Sequence, residues 1–220
     1  MAAIATTLKR GAALAGAALA GVSLLGFAAY SARFGLRGLV LDLADETYLF
    51  SPGSPGLNAA IFVHMILGAL AMLLAPLQLV PRVRARHAWL HRLAGRVIAG
   101  AAVVVALGGL GYIAARGTIA GPGMDAGFAL YGLLMLLAAV QAVRHARAGD
   151  LVRHRAWALR LFVLVMGSLI FRLHYVLWFS LTGGLGSNEQ LTGPFDQLQY
   201  VAFYLPYLVA LEFWLRRRAG

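Results

Sequence analysis

Chemistry in this chain has to be built around imidazole and guanidinium, because the sequence holds six histidines and no cysteine. Thiolate nucleophiles, disulfides, iron–sulfur ligation and cysteine-based zinc sites are thereby excluded. Imidazole is then the main side chain left to bind a transition metal. Four histidines fall at matched depths of long apolar runs. His64 lies ~6 residues, or ~9 Å, inside one end of its run, and His174 ~8 residues, or ~12 Å, inside the corresponding end of another. His91 and His154 stand at the mouths of two runs at the opposite side. A glycine shares the helical face of three of them: Gly68 with His64, Gly95 with His91, and Gly167 with His174.

Haem iron with two axial ligands needs an imidazole from each of two facing helices and a small residue where the porphyrin meets a backbone. His64, His91, His154 and His174 are therefore candidate iron ligands, and haem b is the expected cofactor. A stack of two haems is harder to build. His154 and His174 share one run and point to nearly opposite sides of it, roughly 200° around and ~30 Å along the helix. An outer site, an inner site, or ligands drawn from other helices remain open. His91 and His154 also lie among Arg92, Arg96, Arg153 and Arg155, where contact with lipid phosphates or helix ends suits them equally. His87 and His145 read as solvated loop residues. In His87-x-x-x-His91, Ala88 stands where a zinc protease needs its catalytic glutamate.

Arg172 is the most informative single charge, ~10 residues or ~15 Å inside its run and two positions before His174. A guanidinium at that depth calls for an anion. Glu212 lies at another level and is better placed for Arg160 or Arg216. A haem propionate, a quinone, an anionic substrate or a lipid phosphate would each answer Arg172, as would a cluster of carbonyls. Arg172 thus joins the four histidines as a candidate cofactor-binding residue. No catalytic residue can be assigned: Ser23, Ser168 and Ser180 lack a nucleophile elbow, and no carboxylate pair faces a common pocket.

The elements that must position these groups follow from composition. Hydrophobic residues make up 61% of the chain and charged residues 12%, against about 25% charged in a soluble domain. The mean hydropathy is +0.78, and a soluble fold is excluded. Apolar runs at 11–30, 58–80, 93–115, 126–146, 156–182 and 197–215 are each long enough to cross a bilayer as a helix. The expected fold is all-α, an integral membrane bundle of about six helices. Residues 1–57 form an N-terminal transmembrane helix with an outer loop, and residues 58–220 a five-helix core with a basic tail. Within the first unit, Phe34 to Phe50 has the mixed composition of a short interfacial helix. Pro206 should kink the last span, and Trp89, Trp157, Trp178 and Trp214 fall near interfaces, as an aromatic belt would.

The net charge is +11, and it is unevenly divided. Lys9, Arg10 and the arginines within 82–96, 144–160 and 216–218 fall on one side, against Arg33, Arg37 and Arg116 on the other. The positive-inside rule places the first side in the cytoplasm, both termini with it. The charge then serves anionic headgroups at that face rather than nucleic acid. The expected location is the bacterial inner membrane. The first run follows Lys9 and Arg10 as a signal peptide would, but ~20 apolar residues suit a retained anchor better than a signal core of about 7–15.

The chain resembles a family of bacterial membrane proteins, DUF2306, over roughly residues 60–215. The likeness rests on His64 with Gly68, the Pro76-Leu77-Gln78 corner, His91-Arg92 with Gly95-Arg96, His154-Arg155 with Trp157 and Arg160, and Arg172. The arrangement of polar residues is also similar to that of cytochrome b561-type proteins, which hold b haems between histidines of a helical bundle. That second likeness implies transmembrane electron transfer, with a quinone or a redox protein as partner and the chain as part of a membrane oxidoreductase. His174 matches no family motif, so the His64/His174 pair rests on depth alone. Two other readings stand beside it: a small transporter or binding protein for an anionic or lipid-like ligand, and an accessory subunit of a membrane complex.

Overall fold

The computed structural model describes residues 2–219, with side chains from Gly11 to Arg218; the side chains of Lys9 and Arg10 lie outside the described residues. Eight helices follow in order: α1 (Ala2–Val40), α2 (Pro55–Leu79), α3 (Pro81–Arg86), α4 (Ala88–Arg116), α5 (Pro122–Arg147), α6 (Leu151–Thr182), α7 (Pro194–Ala202) and α8 (Leu205–Ala219). Among the described residues, six segments are long and apolar enough to cross a membrane: α1, α2, α4, α5, α6, and α7 taken with α8. The all-α membrane bundle expected from the apolar runs is the fold observed. Proline at the first turn of α2, α3, α5 and α7 fits helix starts, where the missing N–H is not needed.

Neighbours in the chain are neighbours in space. α1 packs on α2, α2 on α4, α4 on α5 and α5 on α6, while α6 returns to touch α2. Small residues set the close approaches. A β-carbon on Gly35 would lie 2.8 Å from the Phe62 carbonyl oxygen, and one on Gly38 would enter the Phe62 ring. Phe62 is fully buried, so α1 and α2 meet only because both positions are glycine. At α5, a β-carbon on Gly127 would lie 2.6 Å from the Tyr200 carbonyl oxygen. The main core gathers Met72, Val105, Met135 and Leu164 from α2, α4, α5 and α6, with Tyr204 from between α7 and α8.

Three local features differ from expectation. The stretch Phe34 to Phe50 is not a separate interfacial helix. Its first part continues α1 to Val40, held by the Gly35 and Gly38 contacts, and the remainder is turns. Arg37 there forms a fork with Glu46, at 2.7 and 2.9 Å. The connection after α2 contains the one-and-a-half-turn helix α3, which the run count did not foresee. The last span is broken at Phe203 and Tyr204 rather than merely kinked. Pro206 has no N–H to offer the Ala202 carbonyl and its ring crowds that oxygen.

Buried polar pairs order the loops at the end opposite the arginines. Ser51 N–H donates to Asn58 Oδ1 at 2.7 Å, and Asn58 Nδ2 returns a bond to the Ser51 carbonyl at 3.0 Å. Thr118 N–H donates to Asp125 at 2.6 Å. Asp196 is fully buried and accepts from the Tyr175 hydroxyl, the Ser187 hydroxyl, Asn188 N–H and Gly193 N–H, at 2.7 to 3.0 Å. These acceptors hold the lid of loops over the bundle.

Candidate functional site

His64 sits on the α2 face turned to α4, and the helices close on it. A β-carbon on Gly108 would lie 3.0 Å from the Ala60 carbonyl oxygen, and one on Gly109 would lie 3.2 Å from the His64 ring. The two glycines of α4 therefore make room for the imidazole. Its Nδ1 lies 2.7 Å from the Val105 carbonyl oxygen. A carbonyl only accepts, so Nδ1 carries the proton and Nε2 is left with a free lone pair.

His64 lines a cavity of about 410 Å³ in the half of the bundle away from the arginines. α1, α2, α4, α5, α6 and the break between α7 and α8 all contribute to its wall. Most of the wall is apolar, as at Met65, Met72, Phe128 and Phe203. The cavity's lining includes polar side chains without a hydrogen-bond partner among the described residues, Ser31, Tyr48, Ser168 and Arg172, together with His64, whose Nε2 is unbonded. Gly68 also lines it, and a β-carbon there would meet nothing within 4 Å.

Arg172 leaves α6 toward α1. Its guanidinium carbon lies 5.2 Å from the ring of Phe27 and 5.3 Å from that of Phe171, and Tyr30, Tyr131 and Tyr175 are the other polar groups near its charge. The residue is exposed and lines the cavity. Among the described residues no carboxylate or carbonyl answers it. Glu212 instead takes Arg160 in a two-bond fork, at 2.6 and 2.9 Å, as their depths suggested. The Tyr131 hydroxyl is spent on the Leu164 carbonyl and that of Tyr112 on Leu49, at 3.1 Å for the latter.

The other candidate ligands are placed elsewhere. His174 does not line the cavity, and both its ring nitrogens are engaged: Nδ1 with Gln199 Oε1 at 2.9 Å and Nε2 with the Tyr207 hydroxyl at 2.8 Å. His64 and His174, expected to share a depth, are not presented to one space. At the arginine-rich end, His154 Nδ1 lies 2.9 Å from the Ala142 carbonyl oxygen, while His91 lies within Coulombic range of His154, Arg84 and Arg92. Gly95, the small residue on the His91 face, has Gln78 Oε1 at 3.5 Å from where its β-carbon would stand. An amide thus occupies the room a porphyrin would need there. Neither pair of histidines fits a two-ligand haem in this arrangement. Among the described residues, no group of three or more histidine and carboxylate side chains is placed to hold a metal ion.

Ser31 also lines the cavity and carried no signal beyond being a polar residue at the end of the first apolar run. Ser168 carried a similar signal, one turn before Arg172. His145, read as a solvated loop residue, approaches Asp150 at 3.8 Å.

The family described as Predicted membrane protein (DUF2306) matches residues 61–193. Those residues carry His64, Ser168 and Arg172, and Ser31 precedes them. Neither the curated proteins nor the solved structures contain a match to this chain.

Proposed function

The chain belongs to the DUF2306 family of predicted membrane proteins, and from that premise we propose that it binds an acid-headed, lipid-soluble amphiphile within the bundle. The observation that carries this reading is the set of unpartnered polar groups, among them Ser31, His64, Ser168 and Arg172, lining a largely apolar cavity. A large apolar pocket with a few convergent polar groups is the usual form of a small-molecule site. The groups also define the head. Arg172 donates to an anionic oxygen, His64 Nε2 accepts from a hydroxyl, and each serine can do either. A carboxylic acid meets both demands: its hydroxyl donates to His64 Nε2 while its carbonyl oxygen accepts from Arg172, and passing that proton to Nε2 leaves a carboxylate that accepts from both. The apolar wall would take the adjoining part of a hydrocarbon chain.

The charge of Arg172 favours an acid over a neutral quinone. A lone guanidinium inside a bilayer costs about 2.5–3.5 kcal/mol or more, and an anion in the cavity offsets that cost. We further propose that the arginine-rich face is cytoplasmic, in a bacterial inner membrane, which opens the cavity to the outer leaflet. Thermal unfolding of the purified full chain tests the binding. A long-chain fatty acid should raise the midpoint, the matching alcohol and a quinone should do so less, and Arg172→Gln should remove the difference. Equal responses in the variant and the unaltered chain would count against it.

A further inference from the structure

A second polar cluster lies at the other end of the bundle, and none of its members touches the cavity described above. Gln78 Nε2, His91 Nδ1 and Gln141 Oε1 are buried atoms without a hydrogen-bond partner among the described residues. Native structures rarely leave such atoms unanswered, so three at one end of a bundle indicate something that answers them. Their placement is convergent. Gln78 of α2 reaches Gly95 of α4, one helical turn from His91. His91 lies within Coulombic range of His154 of α6. His154 in turn is bonded to the Ala142 carbonyl of α5, next to Gln141.

Charge identifies the occupant. Arg84 and Arg92 both lie within Coulombic range of His91. The connections 80–96 and 144–155 carry Arg82, Arg84, Arg86, Arg92, Arg96 and further arginines beyond them, against a single carboxylate, Asp150. Asp150 is itself taken by Arg153 and approached by His145, at 3.5 and 3.8 Å. Water would satisfy the orphaned atoms but leave this charge unanswered. We propose that Gln78, His91, Gln141 and His154, beneath Arg84 and Arg92, form a site for a phosphate group. Phosphate oxygens accept from Gln78 Nε2 and from a protonated His91 Nδ1. Gln141, turned by half a rotation about its amide, donates as well. The arginines add charge-assisted, two-pronged contacts. Basic pockets between helices at a charged membrane face take lipid phosphates by this chemistry, and a soluble phosphate ester would be held by the same groups.

The test uses the full chain in nanodiscs. In one arm, phosphatidylglycerol is mixed with phosphatidylcholine and the lipid retained is counted by native mass spectrometry. In the other, inorganic phosphate is added to phosphatidylcholine discs, with chloride at matched ionic strength as control, and thermal unfolding is followed. Preferential retention of phosphatidylglycerol identifies a headgroup site, and stabilisation by phosphate over chloride a site for the free anion. Gln78→Glu, nearly isosteric, should weaken whichever is seen by roughly tenfold, the loss of one charge-assisted bond, whereas Arg172→Gln should leave it unchanged. No preference for phosphate-bearing probes in the unaltered chain would overturn the proposal, a reading that needs no variant to fold. Loss of binding in Arg172→Gln would overturn the separateness of the two sites.

Discussion

The Nδ1 of His64 lies 2.7 Å from the Val105 carbonyl oxygen, across the α2–α4 contact. That one bond decides what the histidine can do. It fixes the ring's orientation and tautomer and leaves Nε2 unbonded, and the bond forms because Gly108 and Gly109 admit the ring. In the proposed function, His64 then serves as an acceptor for the head group of the ligand.

Two glycines separate binding from stability. Gly68 borders the cavity with open space beyond it, so Gly68→Leu should fill part of the cavity and weaken ligand binding while leaving thermal stability nearly unchanged. A β-carbon on Gly127 would lie 2.6 Å from the Tyr200 carbonyl oxygen, so Gly127→Ala must push α5 from α7. It should lower stability by about 1–3 kcal/mol, the range for overpacking. Chemical unfolding in detergent compares the two. Equal losses would mean that the cavity beside Gly68 is filled.

Asp196 answers four donors from loop and helix. In Asp196→Asn the amide nitrogen meets donors, leaving at least one buried group unpaired. The expected loss is about 1–3 kcal/mol, with faster proteolysis within residues 183–193. An unchanged cleavage pattern would show that the loop does not depend on the carboxylate.

The absence of cysteine makes orientation easy to measure. Glu189→Cys and Ala148→Cys place single thiols at opposite ends of the bundle, both at exposed positions. In intact cells a membrane-impermeant maleimide should label the first and spare the second. The reverse pattern would put the arginine-rich face outside.

Haem is expected from histidine depth, yet the ring nitrogens of His174 are both engaged and Gln78 fills the space beside Gly95. Protein made with added haem precursor should show no Soret band. A band that disappears in both His91→Ala and His154→Ala would establish a haem at the arginine-rich end and contradict this arrangement.

How much of this was legible depended on whether the property was carried by a residue's type or by its neighbours. The six spans were legible because each must be a long apolar run, and a distortion near Pro206 because a proline lacks its N–H, though the sequence pointed to a kink rather than a break. The end of α1 was not, since Gly35 and Gly38 matter only against Phe62, a partner on another helix. His64 and Arg172 stood out as expensive residues within the membrane. Yet the partner of His64 is a backbone carbonyl, which no side-chain pattern reveals, and the partners of His174, Gln199 and Tyr207, come from two short helices that read as one run. Depth along a helix carried no information on which way each histidine faces across the bundle.

The central claim is that an acid-headed amphiphile sits between His64 and Arg172. Photoaffinity labelling of the full chain with a diazirine fatty acid, followed by peptide mapping, tests it most directly. The expected result is label on the cavity wall contributed by α2, α4 and α5, around Met65, Met72 and Met135, reduced by competing fatty acid and lost in Arg172→Gln. Label confined to the lipid-facing surfaces of α1 and α8, equal in the variant and insensitive to competitor, would contradict it.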